Sequence, residues 1–372
     1  MTIAVNTRFL LPGKLEGIGR YTYEVCRRLP ELFPDDDLVF LFDRPYDSRF
    51  VTGPRTRAIV VPPPARHPVL WYLWFEWALP RALKRAGAEV FFSPDGYTSL
   101  RSPVPSVMTV HDLAFEHFPG HTPPLVSRYY RYFTPRYCHH ARYVAAVSQF
   151  TALDIQQRYG LSAERIAVCG NGCREGFYPL SSDERAQARQ QYAGGKPYFL
   201  YIGAIHPRKN VHRLIDAFGA FKQRTHAPHQ LLIAGRMAWK EGPVETAYQS
   251  SPARRDIQLL GFVPDEELPR LMGAAFAFVY PSLFEGFGLP LLEAMHAEVP
   301  VISSRSSSMT EVTADAGLLI DPYQTEGLAD AMEQMLDSQL RSSLVKRGKG
   351  QRQQYSWDRT ARVIAGLIRR SA

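Results

Sequence analysis

Short runs of β-branched and aromatic residues alternate with longer helical patterns along the whole chain. Five such runs occupy the first half, at residues 3–6, 38–42, 89–93, 106–110 and 143–147. Five more occupy the second half, at residues 198–203, 230–234, 257–260, 275–280 and 299–303. Because strands that alternate with helices assemble into parallel sheets covered by helices, each half predicts its own doubly wound α/β domain.

Length and chain breakers indicate where these domains separate. A chain of 372 residues exceeds what one hydrophobic core usually serves, so two domains of similar size are expected, with room for an active site between them. Glycine and proline are densest near the midpoint, at residues 165–197, which include Pro179. We therefore predict an N-terminal domain at residues 1–178 and a C-terminal domain at residues 179–355.

Residues 356–372 predict one more helix after the second domain is complete. Trp357, Val363, Ile364 and Leu367 recur at helical spacing within it. We expect this helix to pack back across the linker onto the first domain.

Composition excludes several classes of protein. The chain is 45% hydrophobic and has no low-complexity tract, which indicates a folded protein. Its first residues lack the features of a signal peptide, and no apolar stretch reaches the roughly 20 residues that a membrane span needs. Four cysteines without disulfide or zinc-site spacing favour reduced thiols, so we expect a cytoplasmic protein.

The formal net charge of +8 favours anionic partners, which include nucleotide phosphates, acidic lipid head groups and nucleic acid. Two aromatic segments, at residues 71–77 and 128–137, stand out in the first half, and the second of them is also basic. Such residues suit a membrane interface, but helix packing within the first domain explains them equally well. These segments therefore predict either peripheral association with an anionic membrane or helix packing within the first domain.

The most informative segment, residues 281–295, has the sequence PSLFEGFGLPLLEAM. It follows a run typical of a buried strand, and Pro290 suits the first turn of the helix that comes next. Gly286 and Gly288 allow the backbone to approach a ligand closely, and the amides at a helix start suit phosphate or sugar hydroxyls. The segment therefore predicts a ligand-binding loop between a strand and a helix.

Two carboxylates bracket this loop. Glu285, at the carboxyl edge of the sheet, is able to accept hydrogen bonds from sugar hydroxyls or to position the loop. Glu293, in the first turns of the helix, is able to reach a neighbouring diol such as a ribose. Charge complementation at the helix N-terminus is the structural alternative for Glu293.

The pair Glu285 and Glu293, together with the flanking sequences at residues 260–263 and 279–282, resembles the paired-glutamate motif of the family-4 retaining glycosyltransferases. The resemblance covers nearly the entire chain. It implies the GT-B architecture, in which two Rossmann-like domains face each other and the second binds most of the nucleotide-sugar donor. It also implies donor contacts from Gly235, Leu260, Phe287 and Leu289, beside Gly286, Gly288 and Glu293.

Residues 203–210, GAIHPRKN, resemble the phosphate-binding segment of that family. Arg208 and Lys209 follow a strand and Gly203, where two cations are able to neutralise a diphosphate leaving group. Many family members have an arginine directly after this glycine, whereas this chain has Ala204. Arg208 and Lys209 are therefore expected to bind most of the diphosphate.

Two first-half motifs also resemble the family. Gly17 and Gly19 match its first-domain glycine loop, where backbone amides approach the donor diphosphate, although a turn before a helix explains the pair equally well. His111 resembles the active-site histidine that hydrogen-bonds the donor hexose. Asp112 is expected to orient this histidine or to cap the following turn, and Ser148 to cap a helix.

The resemblance predicts catalytic roles for His111, Glu285, Arg208 and Lys209. It implies retention of anomeric configuration by front-face displacement, because no carboxylate in the motifs is an obvious nucleophile. No metal is expected, and the acidic run at residues 35–37 is interpreted as a solvated turn.

Within the family, the sequences GIGRYTYE, HDLAFEHFPG and GAIHPRKN are most similar to bacterial mannosyltransferases of polysaccharide and O-antigen assembly. The resemblance implies GDP-mannose as donor and a lipid-linked saccharide as acceptor. The alternative donor is a UDP-sugar. The alternative functions are a non-catalytic nucleotide-binding protein of the same fold and a nucleic-acid binder, and the paired glutamates argue against the latter.

Overall fold

The computed structural model of the protein describes residues 1–13, 15, 17–236 and 242–372. The chain divides into two compact units, Met1–Asn171 with Ser356–Ala372, and Gly172–Tyr355. The division follows Asn171, ahead of the position near Pro179 that the breakers indicated. Arg174 pairs with Asp265 and Glu293, which assigns this part of the linker to the second unit.

The first unit is built on a seven-stranded, fully parallel sheet. Its strands are β1 (Thr2–Asn6), β2 (Asp37–Phe42), β3 (Thr56–Val60), β4 (Val90–Ser93), β5 (Ser106–Val110), β6 (Tyr143–Ala146) and β7 (Ile166–Val168). They lie in the order β3-β2-β1-β4-β5-β6-β7. The sequence analysis missed β3 and β7, the two edge strands, because β3 is half-exposed and contains Arg57, and β7 has only three residues.

The second unit has a six-stranded parallel sheet. Its strands are β8 (Tyr198–Ile202), β9 (Gln230–Ala234), β10 (Ile257–Gly261), β11 (Ala277–Tyr280), β12 (Val301–Ser304) and β13 (Gly317–Ile320). They lie in the order β10-β9-β8-β11-β12-β13. The edge strand β13 was missed, since its half-buried residues lack a continuous buried pattern. Both sheets confirm the predicted pair of doubly wound α/β domains.

Helices connect the strands of both sheets. The first are α1 (Ile18–Cys26), α2 (Leu29–Leu32), α3 (Pro68–Leu73), α4 (Leu79–Ala86), α5 (Ala114–His117), α6 (Pro124–His140) and α7 (Gln149–Tyr159). The remainder are α8 (Ser182–Ala193), α9 (Val211–Thr225), α10 (Pro243–Ser250), α11 (Leu268–Gly273), α12 (Leu289–His296), α13 (Ser307–Thr313), α14 (Thr325–Gln334), α15 (Ser338–Gln351) and α16 (Trp357–Ser371). No helix in the described part of the chain has both the length and the hydrophobicity to cross a bilayer.

Helix α16 belongs to the first unit. It packs on α1 and on strands β4 to β6, and Trp357, Ile364 and Leu367 are buried there. An ion pair of 2.6 Å between Arg28 and Asp358 adds to this contact. The spacing of its apolar residues is that of an amphipathic helix, and its apolar face covers the first sheet.

The aromatic segment at residues 71–77 contributes to the core of the first unit. A π-helical turn, Trp74–Ala78, joins α3 to α4, and Trp74 and Phe75 are fully buried. The Trp71 ring stacks on Tyr130 of α6 with 5.8 Å between the centroids. Helix packing thus accounts for part of both aromatic segments, whereas Trp77 and Tyr132 remain 42% and 51% exposed.

Candidate active site

Loops from neighbouring strands meet at the carboxyl edge of the second sheet. Strands β8, β11 and β12 are adjacent and parallel, so the chain segments that follow them emerge at the same edge. The amide of Leu283 donates to the Arg208 carbonyl at 2.8 Å, and the Ser306 hydroxyl donates to the Leu283 carbonyl at 2.6 Å. These bonds fix the loops after the three strands against one another.

The predicted residues Arg208, Lys209 and Glu285 form one ion-pair cluster at this edge. Lys209 Nζ lies 2.6 Å from Glu285 Oε1, and Arg208 Nη1 lies 3.1 Å from Glu285 Oε2. Arg208 also donates to the Phe284 carbonyl. All three side chains are largely buried, so the cluster is preorganised rather than a set of solvated surface charges.

The two cations decide the ionisation of Glu285. Burial by itself raises the pKa of this carboxyl, but the charges of Lys209 and Arg208 outweigh that effect and lower the pKa to about 2. Glu285 is therefore ionised at every physiological pH. A carboxylate of such low basicity is a hydrogen-bond acceptor and a charge partner, and a poor general base.

Lys209 retains donor capacity for a ligand. Its ammonium donates to Glu285 Oε1 and, at 2.9 Å, to the Tyr280 hydroxyl. Burial raises the pKa of Tyr280 well above its usual range, so this phenol stays neutral and accepts the bond. An ammonium has three N–H groups, and the third has no partner in the described residues. The sequence analysis did not identify Tyr280 as a site residue, because a tyrosine within a predicted strand is common and suggests no function.

Asn210 joins the cation segment to the glutamate loop. The residue is fully buried with a left-handed φ of 61°, between the 3-10 turn Pro207–Lys209 and helix α9. Its Nδ2 donates to the carbonyls of Pro281 at 3.0 Å and Pro322 at 2.7 Å. Asparagine tolerates this backbone conformation better than most residues. Asn210 therefore positions the loop, a role that the sequence analysis did not assign.

Glycines bring the loops of the second unit close together. A Cβ on Gly235 would lie 1.8 Å from the Gly203 carbonyl oxygen, so the ends of β8 and β9 approach one another only because Gly235 lacks a side chain. Gly288, at φ 96°, adopts the left-handed region and ends the loop directly before α12 begins at Leu289. Gly286 precedes it in the same loop. This arrangement is the strand, glycine loop and helix that the sequence predicted.

Two donor-site candidates occupy less direct positions. Phe287 is buried, and its ring meets the Tyr355 ring edge to face with 5.2 Å between the centroids. Its side chain therefore packs in the core, and only its backbone is available to a ligand in the loop. Leu260 is half-buried near the end of the edge strand β10. Both lie on the carboxyl side of the second sheet, but among the described residues neither makes a polar contact with the ion-pair cluster.

Glu293 is buried in the second turn of α12 and is bound by Arg174. Arg174 Nε donates to Oε1 at 2.6 Å and Nη2 to Oε2 at 3.0 Å, which is a bidentate pair. Arg174 Nη1 also lies 3.1 Å from Asp265 Oδ1. The charge of Glu293 is therefore paired with an arginine, in addition to its position in the first turns of α12. The sequence analysis missed Arg174, which lies 119 residues away along the chain.

In the first unit, His111 follows β5 at the carboxyl edge of its sheet. Its Nε2 lies 2.7 Å from the Pro94 carbonyl, and its ring meets Tyr21 edge to face at 4.8 Å. Burial lowers the pKa of His111, so the ring is neutral at neutral pH. Because a carbonyl only accepts, Nε2 bears the proton and Nδ1 retains a lone pair.

The other candidate residues of the first unit lie at the N-termini of helices. Gly17 is the N-cap of α1 with φ 45°, and Gly19 is buried in the first turn. Asp112 accepts from the Ala114 amide at 2.9 Å and so caps the following turn, one of its two expected roles. Ser148 accepts from the Thr151 amide at 3.0 Å and caps α7, as predicted.

Metal-binding side chains do not cluster in the described part of the chain. No group of three or more His, Cys, Asp or Glu residues there is arranged to bind an ion. In the acidic run at residues 35–37, Asp37 lies 3.1 Å from Arg55 instead.

The chain is similar to known glycosyltransferases. Residues 15–175 match the model for Glycosyltransferase Family 4, and residues 182–351 match that for Glycosyl transferases group 1. O-antigen chain mannosyltransferase B of Escherichia coli is 30% identical over 361 residues, which are 92% of this chain and 93% of that protein. O-antigen chain mannosyltransferase RfbU of Salmonella typhimurium is 25% identical over 72% of this chain and 70% of its own.

A solved structure, Anabaena Alr3699/HepE in complex with UDP and glucose, superimposes with a TM-score of 0.76 at 18% identity over 99% of both chains. This likeness confirms the expected GT-B fold. The two family models together cover both units of the chain, from the first-unit glycine motif to the end of α15. The chain therefore belongs to the family-4 glycosyltransferases.

Proposed function

We propose that this glycosyltransferase is a retaining hexosyltransferase that transfers mannose from GDP-mannose to a lipid-linked saccharide in cell-surface polysaccharide synthesis. The observation that carries the proposal is the buried cluster of Arg208, Lys209 and Glu285 beside the glycine loop. Similarity to the O-antigen mannosyltransferases supports mannose as the sugar.

Arg208 and Lys209 would stabilise the leaving diphosphate. As the bond between the sugar C1 and the phosphate oxygen breaks, negative charge develops on the β-phosphate. Lys209 offers it an N–H group that two other bonds already aim, so little reorganisation is needed. Amides at the start of α12 would add further donors.

The acceptor hydroxyl would attack C1 from the face that the diphosphate leaves. Its oxygen forms the new bond to C1, its proton passes to the departing phosphate oxygen, and the nucleoside diphosphate is released. Glu285 is unsuited to take that proton, since its pKa is about 2. Its role is to position Lys209 and Arg208 and to accept hydrogen bonds from hexose hydroxyls.

Glu293 would bind the ribose diol of the donor. Arg174 occupies both of its oxygens, so donor binding either shares the carboxylate with Arg174 or replaces one of these bonds. A carboxylate has about four lone-pair positions, which leaves room for two ribose hydroxyls beside the arginine. Arg174 thus orients Glu293 for the ribose.

His111 would accept a hydrogen bond from a donor hexose hydroxyl through Nδ1, the nitrogen that its Pro94 contact leaves unprotonated. Gly17, Gly19, Gly203, Gly235 and Leu260 would supply backbone or apolar contacts to the donor. The scheme includes no metal, and Arg208 and Lys209 interact with the diphosphate directly.

A UDP-sugar donor is the second candidate, favoured by the fold likeness to a protein solved with UDP and glucose. Thermal-shift measurements with GDP, UDP, ADP and their sugars separate the two, because tight binding raises the melting temperature by mass action. A shift with GDP-mannose above all others supports our proposal. A shift with a nucleotide but no sugar transfer or donor hydrolysis would instead indicate a non-catalytic nucleotide-binding protein.

Peripheral binding to the inner face of an anionic membrane is part of the proposal. Arg128, Arg131 and Arg136 line an open cavity of about 710 Å³ together with the exposed Tyr132. Such a surface suits acidic head groups. Sedimentation with anionic and with neutral vesicles at low salt tests it, and failure to sediment with the anionic vesicles would refute it.

A further inference from the structure

A cavity of about 700 Å³ lies at the amino edge of the second sheet. Its lining includes the residues that directly precede strands β8, β9, β11 and β12, which are Pro197, His229, Phe276 and Pro300. Because all strands of this sheet are parallel, the ion-pair cluster lies at the opposite edge. Strands of four or five residues, at roughly 3.3 Å per residue, separate the two edges. The cavity is therefore distinct from the proposed donor site.

Positive charge dominates this cavity. Arg185 and Arg189 of α8 and Arg341 of α15 line it, and in the described residues none of the three has a carboxylate within ion-pairing distance. Arg189 Nε donates to the Ala274 carbonyl at 3.0 Å, and Arg341 Nη1 to the Leu336 carbonyl at 3.1 Å. The guanidinium groups of Arg189 and Arg341 thus satisfy some of their donors on the backbone, without a close ion pair in the described residues.

The acidic residue of the lining does not neutralise them. Glu298 lies 2.9 Å from Lys349 and 3.9 Å from Arg352, so its charge is balanced by other cations. Burial, followed by neighbouring positive charge, lowers the pKa of Arg189, and burial lowers the pKa of Arg341. The charge of Asp337 opposes the shift of Arg341 but does not outweigh burial.

His229 provides a second, independent observation. The residue is 6% exposed, and both of its ring nitrogens are buried without a hydrogen-bond partner in the described part of the structure. The rings of Phe199, Phe221 and Phe276 surround it at 4.2 to 5.9 Å. The Arg185 Nε atom is likewise buried without a partner. Buried polar atoms of this kind are costly unless a bound group satisfies them.

The ionisation of His229 follows from the same charges. Burial, and then the charges of Lys222, Arg341 and Arg189, lower the pKa of this imidazole to about 4. At neutral pH the ring therefore has one N–H donor and one acceptor. A bound anion would offset the three cations and raise the pKa of His229.

We propose that this cavity is an anion site that binds a phosphate group, with Arg185, Arg189 and Arg341 as charged donors and His229 as a neutral one. Planar guanidinium groups match phosphate oxygens in bidentate geometry. The volume is within the range of small-molecule sites, roughly 300–1,000 Å³. A free phosphate ion leaves most of it empty, whereas a phosphorylated small molecule fills more, with Ser338 and Ser342 beside it.

The test uses the full-length protein and two probes, inorganic phosphate and a hexose phosphate, with binding followed by calorimetry. We expect Arg341→Ala to weaken the binding of either probe about tenfold or more, as for the loss of a charge-assisted bond. Arg341→Lys should lose less. Arg347→Ala is the matched control, because Arg347 lies on the same helix, is 40% exposed and does not line the cavity. Melting temperatures report whether each variant folds.

Phosphate is also a ligand for the proposed donor site, so every titration is repeated in a Lys209→Ala background. Binding that persists there and disappears in Arg341→Ala supports the cavity. A hexose phosphate that binds more tightly than inorganic phosphate identifies a phosphorylated sugar as the ligand, and equal affinities identify the free ion. The proposal is overturned if neither probe binds, if Arg341→Ala and Arg189→Ala bind as the wild type does, or if binding depends on Lys209 alone.

Discussion

The Lys209 ammonium lies 2.6 Å from the Glu285 carboxylate, and the two side chains come from loops after different strands of the second sheet. Neither residue depends on solvent for its charge partner, since their side chains are 14% and 9% exposed. A lysine fixed in this way offers its remaining N–H group in a defined direction. This relationship is the physical basis of the proposed diphosphate site.

Replacement of Lys209 by methionine keeps an unbranched side chain, one atom shorter, and removes the charge. We expect kcat to fall about 10²- to 10³-fold, as when one preorganised donor to a developing negative charge is removed. Lys346→Met, at an exposed position of the same unit, should leave kcat unchanged. Initial rates of sugar transfer measure both, and a Lys209→Met enzyme with full activity would contradict the proposed role.

The Glu285 ion pairs make stability depend on pH. Since the folded pKa of about 2 lies below the ordinary value of 4.5, the ionised carboxylate contributes about 3 kcal/mol to stability. That contribution is present in full above pH 4.5 and is lost as the pH falls towards 2. Glu285→Gln should therefore lose acid sensitivity in this window. Urea unfolding at neutral pH and at about pH 3 checks it, and parallel pH profiles for the two proteins would refute it.

Removal of Arg174 leaves the carboxylate of Glu293 buried without its partner. Arg174→Met should destabilise the protein by about 3–5 kcal/mol, the range for breaking one side of a buried pair. The double variant with Glu293→Gln should recover much of this loss, because no uncompensated charge remains. Urea unfolding of the two single variants and the double variant measures the coupling. Strictly additive losses would show that the pair does not act as a unit.

His111 should function only in its neutral form. Burial holds its pKa below 6.5, so kcat/KM should be constant near neutral pH and fall in acid, as Nδ1 becomes protonated and can no longer accept. In His111→Asn, kcat/KM should no longer fall in acid. The variant should transfer sugar at least about tenfold more slowly, because a polar contact to the donor is lost. If kcat/KM of His111→Asn depends on pH as that of the wild type does, His111 is not the group that titrates in the reaction.

Two substitutions of Asn210 separate backbone strain from hydrogen bonding. Asn210→Ala loses three side-chain hydrogen bonds, two that Nδ2 donates and one that Oδ1 accepts from Arg213, and forces alanine to a φ of 61°. Asn210→Gly loses the same three bonds without the strain. We expect both variants to be less stable, and Ala to be worse than Gly by about 1 kcal/mol. Thermal unfolding measures the difference. Equal stability of the Ala and Gly variants would contradict a strained left-handed position.

Much of the fold was predictable because local patterns determine it. The strands at residues 106–110 and 230–234 were predicted to the residue, since both are largely buried runs with a chain breaker at one end, Pro105 before the first and Gly235 after the second. The edge strand β3 contains Arg57 and is half-exposed, so its pattern does not differ from that of a loop. The division at Asn171 depends on the tertiary contacts of Arg174 and was not visible locally.

The site shows the same division between local motif and tertiary contact. Gly286, Gly288 and the two glutamates lie in one continuous segment, so the loop and the helix that follows it were predictable from the sequence. Arg174 and Tyr280 are site residues only because the fold brings them to Glu293 and Lys209, from 119 and 71 residues away. A lone arginine after Asn-Gly, or a tyrosine in a strand, gives no such signal in the sequence.

The central claim, that Lys209 and Arg208 bind the donor diphosphate, is tested most directly by calorimetric titration of GDP into the wild type, Lys209→Met and Lys346→Met. We predict that Lys209→Met binds GDP at least about tenfold more weakly, equivalent to about 1.4 kcal/mol. Lys346→Met should bind as the wild type does. GDP that binds the wild type and Lys209→Met with the same affinity would contradict the account.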